Sequence, residues 1–256
     1  LANRQVAAFI GKNMDGMPSK KPFVYRVHDV PDPDKIGTFS AFVKQFGYQM
    51  MLKTPKDIAN SMNRVLADVS GKREENMIEL LAIRTMSKAK YTTENIGHYG
   101  LGFNYYTHFT SPIRRWPDVM VHRLLQRYLD GEKIKNKEAI EEQCKHSSEM
   151  EKLSTDAERS SIKYMQVKYL VGKEGQEFDA LVSGVTEFGM FVELEDSLCE
   201  GLVSMRDIKD DHYVLNKESF SLVGRKTGHK FQLGDPIRVR VRNVDLVKKQ
   251  LDFELV

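Results

Sequence analysis

The sequence predicts an α+β chain, with helices and short extended runs as far as about residue 170 and a small all-β barrel after it. Three observations predict this. Apolar residues recur at spacings of three and four through most of the first 170 positions, as on one face of a helix. Beyond Gly172 and Gly175 the spacing becomes two, most clearly in Ile237, Val239 and Val241 and in Leu251, Phe253 and Leu255. The charge also changes there: residues 1–174 carry a net +7, whereas 175–256 hold 11 Lys and Arg against 15 Asp and Glu.

Taken in order, residues 1–13 fit a helix with Val6, Phe9 and Ile10 at core spacing, broken by Gly16 and Pro18. Pro22 to Val30 is a short extended run, and PDPDK ends it as a turn or helix start. Residues 34–47 form a helix with Ile36, Phe39, Val43 and Phe46 inward, and Gly47 stops it. Thr54-Pro55 opens the next helix, whose stripe is Ile58, Met62, Val65 and Leu66. Residues 74–86 form another, with Met77, Leu80, Leu81 and Ile83 inward. Pro117 sits in the first turn of a helix that reaches Leu129, buries Val121, Leu124, Leu125 and Tyr128, and ends at Gly131. Residues 135–170 form a long helical stretch.

The 256 residues suffice for one large core or two modest ones. No apolar run approaches the roughly 18 residues a membrane helix needs. Cys144 and Cys199 stand alone, without a CxxC pair, so a reducing, cytoplasmic setting and no structural zinc are expected. The opening LANRQVAAFIGKN lacks the features of a signal peptide and reads as the interior of a helix, so the chain is expected to be a piece of something longer. Residues 177–221 are acidic (−8) and 222–256 basic (+4). The modestly basic first part is compatible with a polyanion partner, and an ordinary solvated surface is the alternative.

The segment from Tyr91 to Leu125, YTTENIGHYGLGFNYYTHFTSPIRRWPDVMVHRLL, is dense in Gly, aromatic and small polar residues, as chemistry-bearing loops often are. It resembles the C-terminal signature of the catalytic domain in the ribonuclease II/R family, and LANRQVAAFIG, YRVHDVPDPDKI and AERSSIKY resemble other segments of that family. From Gly175 to Val256, GVTEFGMFVEL, GLVSM and GDPIRVRV resemble an S1 domain, a five-stranded OB-fold barrel. The implied organisation is 1–134 as the C-terminal part of the catalytic domain, 135–174 as its helical end and connector, and 175–256 as the S1 domain. The resemblance implies a monomeric, processive 3′→5′ exoribonuclease that uses Mg²⁺. Such enzymes hydrolyse single-stranded RNA, and in the ribonuclease R branch structured RNA with a 3′ overhang, to nucleoside 5′-monophosphates. It also implies that the aspartates holding the metal precede Leu1, so this chain by itself is expected to bind RNA weakly and cleave little. A non-catalytic RNA-binding protein using the S1 domain and the SPIRR loop is the alternative, and a protein-binding module is a second.

Arg114, in SPIRRW, falls where the family has its catalytic arginine. A guanidinium is a rigid, permanently charged donor for phosphoryl oxygens that gain charge in the transition state. Pairing with Asp118 is its structural alternative. Arg115 either touches RNA or braces the loop. Thr110 and Ser111 either bond phosphates or cap the following helix. His108 is a substrate contact or a structural histidine, and His122 is read as structural. Tyr105, Tyr106 and Phe109 can stack on bases, although at least two of the three are expected in the core. In the S1 domain, the resemblance places Phe188 and Phe191 near the RNA-binding face, with Tyr213 beside His212 as a further candidate. Ser204 stands where many S1 domains have a histidine. Arg238, Arg240 and Arg242 share one sheet face, either a basic stripe for phosphates or a charged outer face without a ligand.

Overall fold

The structure is a computed structural model and describes residues 1–72, 74–216 and 219–256. In chain order the first elements are α1 (Ala2–Gly11), β1 (Tyr25–Val27), α2 (Pro33–Lys44), α3 (Pro55–Val69), α4 (Glu75–Thr85), β2 (Lys90–Thr92), α5 (Trp116–Leu129) and α6 (Lys137–Leu170). The strands β3 (Glu177–Thr186), β4 (Gly189–Leu194), β5 (Glu200–Ser204), β6 (Tyr213–Asn216), β7 (Ser221–Gly224), β8 (Lys230–Gln232), β9 (Pro236–Asp245) and β10 (Gln250–Leu255) follow. By spatial contact the chain divides into two units, each built from two stretches: 1–33 with 85–156, and 34–84 with 157–256.

In the first unit, β1 and β2 pair antiparallel with Arg26 opposite Tyr91. Ala7, Ile10, Phe23, Tyr25, Val27, Val121, Leu124 and Cys144 form its core. Phe9, expected inside, is 62 % exposed. The buried face of α1 is set by Ala7 and Ile10, three apart, and Phe9 lies about 100° round the helix from Ile10.

In the second unit, Thr54 caps α3, its hydroxyl oxygen accepting from the Asp57 N–H at 3.1 Å, with Pro55 at the first helical position. Met62, Val65 and Val69 turn inward from it. α4 buries Met77, Ile78, Leu81 and Ala82; Ile83, expected inward, is 71 % exposed because the buried stripe runs one residue earlier, through Ile78. The barrel is closed in the order β10-β5-β4-β3-β9, all antiparallel except β10 with β5. Val182, Met190, Val192, Val203, Val239, Val241, Leu251 and Phe253 fill it, and Val167 and Leu170 of α6 complete its core. Register shifts between Val182 and Gly184 and between Asp252 and Phe253 bend the strands so that the sheet closes.

A second sheet, β6-β7-β8, is inserted between β5 and β9. Asp211 ties it down. Its carboxylate accepts from the N–H groups of Lys226 and Thr227 and from the Thr227 hydroxyl, at 2.7–2.9 Å through Oδ2. These donors hold the carboxyl well below the usual carboxylate range.

Candidate nucleic-acid interface

Residues 107–118 form a loop and helix start held from behind at Thr107, His108, Phe109, Ser111 and Asp118. The Thr107 hydroxyl, fully buried, donates to the Val24 carbonyl at 2.7 Å. His108 Nδ1 lies 2.7 Å from the Tyr91 hydroxyl. The Phe109 N–H donates to Asn3 Oδ1 of α1 at 3.2 Å, and its ring stacks on His122 with centroids 4.0 Å apart. His122 Nε2 is also 2.8 Å from the Phe109 carbonyl, so His122 is structural, as its place on a helix suggested. The carbonyl of Ser111 accepts from the N–H groups of Arg114 and Arg115, folding SPIRR into a tight turn.

Asp118 is the anchor of that turn. It is fully buried in the first turn of α5, and Oδ1 accepts from the Ser111 N–H at 2.8 Å and from Arg115 Nη2 at 2.9 Å. A carboxylate at a helix start is favourable to the helix dipole as well. The two arginines therefore separate. Arg115 pairs with Asp118 and braces the loop, the structural role that had been an alternative for Arg114. Arg114 is exposed, and its guanidinium has no hydrogen bond or ion pair among the described residues. Ile113 beside it is fully exposed. The hydroxyls of Thr110 and Ser111 do not cap α5: Arg115 occupies the N-cap position without a side-chain cap bond, and Asp118 meets the turn instead.

Behind the loop, Arg26 donates two bonds to Glu151, at 2.5 and 3.0 Å, and lies over the Tyr91 ring at 4.6 Å. His28 and His98 stack at 5.1 Å, and His28 Nδ1 accepts from the Gly100 N–H at 3.1 Å. Tyr106 packs edge-on against both His98 and His108. Burial first, then the positive charge of Arg115 and Arg26, pushes His108 down to about 4; burial, then His28 and Arg26, does the same to His98. Both imidazoles are therefore neutral at neutral pH. Tyr105 turns away from this group and packs beside Gly11 at the end of α1, with Lys12 over its ring at 5.2 Å.

A pH dependence of stability follows. The ordinary histidine value is 6.5, so as the pH falls the unfolded chain takes up protons at His98 and His108 before the folded one does. Their contribution to stability is complete above about pH 7 and is lost as the pH falls from 6.5 towards 4. The urea midpoint is expected to be lower at pH 5.0 than at pH 7.5, with His108→Gln flattening part of the decline. Equal midpoints at the two pH values would contradict it.

In the barrel, Phe188 at the β3–β4 turn is 79 % exposed, and Phe191 on β4 is 37 % exposed between the buried Met190 and Val192. Tyr213 is not available for stacking. It is 1 % exposed, and its hydroxyl donates to Asp210 Oδ2 at 2.8 Å and lies 3.1 Å from His229 Nδ1. The arginines of β9 do not form an open basic stripe. Arg238 pairs with Glu177 and Asp179, Arg240 with Glu177 and Glu254, and Arg242 with Asp207. The alternation did put them on one face, but β3 and β10 present carboxylates across from Arg238 and Arg240, and Asp207, after β5, meets Arg242.

The family model for the RNB domain matches residues 1–131, just over half of the chain. The chain belongs to the RNB family, that of ribonucleases II and R. The S1 RNA binding domain model matches residues 172–255. Ribonuclease R of Aquifex aeolicus is 41 % identical over 239 residues, covering 92 % of this chain and 34 % of that protein. Ribonuclease R of Thermotoga maritima is 35 % identical over 242 residues, covering 92 % and 34 %. The structure of Mycoplasma genitalium RNase R in complex with ribose-methylated single-stranded RNA superposes with a TM-score of 0.85 at 27 % identity, over all of this chain and 40 % of that one. The chain thus spans about a third of the length of these two curated relatives. The five-stranded OB-fold barrel and the helical RNB part are as the resemblance implied.

Sequence reading missed Asp118 as the partner of Arg115, Asn3 as a support of Phe109, and the pair of Arg26 with Glu151. The first was within reach: residues three apart share a helix face, and an acidic residue in a first turn next to two arginines is a pairing signal. The other two link residues more than 100 positions apart, for which one sequence holds no signal. Among the described residues, no group of three or more His, Cys, Asp or Glu is placed to hold a metal ion. No helix among them is long and apolar enough to cross a membrane.

Proposed function

We propose that this chain is the phosphate-gripping and RNA-guiding part of a processive 3′→5′ exoribonuclease. Its substrate is single-stranded RNA, or structured RNA with a 3′ overhang, and the products are nucleoside 5′-monophosphates. One observation carries the proposal: Arg114 is exposed and unpaired at the tip of a turn that the Arg115–Asp118 pair makes rigid. A preorganised, unpaired guanidinium meets a phosphate without first breaking a bond of its own. Thr110 and Ser111 flank the same turn with hydroxyls that do not serve the helix. His108, neutral and bonded to Tyr91, supports the loop from below. The whole enzyme would act as a cytoplasmic monomer and draw on Mg²⁺ bound by residues outside those described here. Its modules in this proposal are 1–134, 135–174 and 175–256, the last offering Phe188 and Phe191 to unstacked bases.

Single-strand affinity tests this reading directly. In single strands, log K falls with log salt by about 0.7 for each phosphate neutralised. Arg114→Ala is expected to weaken binding of a fluorescent oligoadenylate and to reduce that slope by about 0.7. Phe188→Ala is expected to cost about 1–3 kcal/mol, the worth of one base stacked on an aromatic ring, and to leave the slope unchanged. A slope identical in wild type and Arg114→Ala would remove the phosphate role from Arg114.

A further inference from the structure

A second cationic surface lies in the first unit, away from the SPIRR turn in sequence and built from different residues. It is a cleft of about 330 Å³ between the end of α1, the residues before β1, and the start of α6. Lys20, Lys21 and Lys137 line it, and no carboxylate does. Among the carboxylates of the described residues, Glu94 reaches a lining lysine, at 4.0 Å from Lys137, and it is itself 75 % exposed. The Lys21 ammonium lies over the Tyr128 ring at 5.2 Å and has no anion beside it among the described residues.

The inner wall of the cleft holds a second, independent feature. Tyr25 is 4 % exposed, yet its hydroxyl, which borders the cleft, has no hydrogen-bond partner among the described residues. The ring is buried and the hydroxyl is the part that faces the cleft. Burial raises the Tyr25 phenol to about 12, so the group is a permanent donor in search of an acceptor. Gly11 keeps it open: a Cβ there would lie 2.8 Å from the Tyr25 hydroxyl and 2.5 Å from the Tyr105 ring. The Asn104 carboxamide, also on the lining, is exposed and has no partner among the described residues.

We propose that this cleft binds a phosphate monoester of mononucleotide size, with Lys20, Lys21 and Lys137 around the phosphoryl oxygens and the Tyr25 hydroxyl donating to one of them. The volume lies at the lower end of small-ligand sites and suits one nucleotide rather than a strand. Three ammonium groups, of which Lys137 alone has a carboxylate within 4.0 Å among the described residues, favour a dianion over a neutral ligand. Asn104 offers both a donor and an acceptor to the non-phosphate end. This reading is independent of the role given to Arg114.

The test is calorimetric titration of the 256-residue chain at low salt, carrying Arg114→Ala so that the SPIRR turn does not contribute. AMP, adenosine, inorganic phosphate and a 5′-phosphorylated oligoadenylate are the probes. AMP is expected to bind saturably at one site per chain, and adenosine at least about tenfold more weakly. Tyr25→Phe is expected to weaken AMP about tenfold, the worth of one hydrogen bond to a charged group. Lys20→Gln with Lys21→Gln, both at exposed positions, is expected to remove binding and carries the test if Tyr25→Phe unfolds. If the oligonucleotide binds in a lysine-dependent way and AMP does not, the phosphate belongs to an RNA 5′ end; the reverse assigns it to a free mononucleotide. Equal affinity for adenosine and AMP, no saturable binding of any phosphorylated probe, or AMP affinity untouched by both sets of substitutions would overturn the proposal.

Discussion

Gly189→Ala is expected to unfold the barrel. A Cβ at this position would sit 2.1 Å from the Val203 carbonyl oxygen and 2.8 Å from the Met205 nitrogen, both backbone atoms of the neighbouring strand region. Gly189 is paired with Ser204 at the first rung of the β4–β5 ladder, so the obstacle moves only if the ladder opens. Its φ of +148° adds strain for any L side chain. The cost is expected to be on the order of 4 kcal/mol or more, in the range where single changes are diagnostic. Gly184 supplies the control. It lies on the adjoining strand, and a Cβ there meets Phe191 at an ordinary 3.6 Å. Gly184→Ala should therefore fold, with the midpoint of urea unfolding little changed. The pair, followed by circular dichroism and urea titration, separates a steric requirement from a general intolerance of the barrel.

The second large effect is expected at Asp118. Its removal leaves the Arg115 guanidinium, whose side chain is 20 % exposed, without its carboxylate and the Ser111 N–H without its acceptor. Stranding one member of a buried ion pair typically costs about 3–5 kcal/mol. Asp118→Ala is thus expected to destabilise the chain by about that much and to lose the RNA affinity contributed by Arg114, which it never touches. Asp118→Asn keeps an acceptor for Ser111 but not the charge, and is expected to fall between. Arg115→Ala combined with Asp118→Ala is expected to cost less than the sum of the two, because the unpaired charge is gone. Strict additivity in urea titrations would show that the pair does not brace the turn.

The parts of the fold that the sequence disclosed are those fixed by local rules. Thr54-Pro55 announced α3 because a hydroxyl followed by proline satisfies a helix start within three residues. The two-residue alternation in β9 and β10 survived intact because one face of each strand fills the barrel. Helix faces were right only to within a residue, which is why Phe9 and Ile83 point outward. The sheet β6-β7-β8 was not foreseen: its strands have three or four residues, too few to establish a period, and Asp211 holds them through backbone donors 15 and 16 positions away.

The candidate site was legible in its chemistry and not in its pairing. Arg114 was singled out by the SPIRRW motif, but only the geometry shows that Asp118 takes Arg115 and leaves Arg114 without a partner among the described residues. Tyr213 and the β9 arginines misled for a common reason. A tyrosine beside a histidine and arginines on alternate positions describe exposed recognition groups equally as well as satisfied structural ones. What decides between them is the acid that faces each: Asp210 for Tyr213, and Glu177, Asp179, Glu254 and Asp207 for the arginines.

Under the proposed function, the described residues would grip RNA while the metal that cleaves it is held elsewhere in the whole enzyme. The measurement that tests it most directly is incubation of the 256-residue chain with 5′-labelled single-stranded RNA and Mg²⁺, resolved at nucleotide resolution. The RNA is expected to be bound and to remain full length. Stepwise shortening from the 3′ end, abolished by Arg114→Ala, would contradict it by showing that the chain carries a complete hydrolytic site.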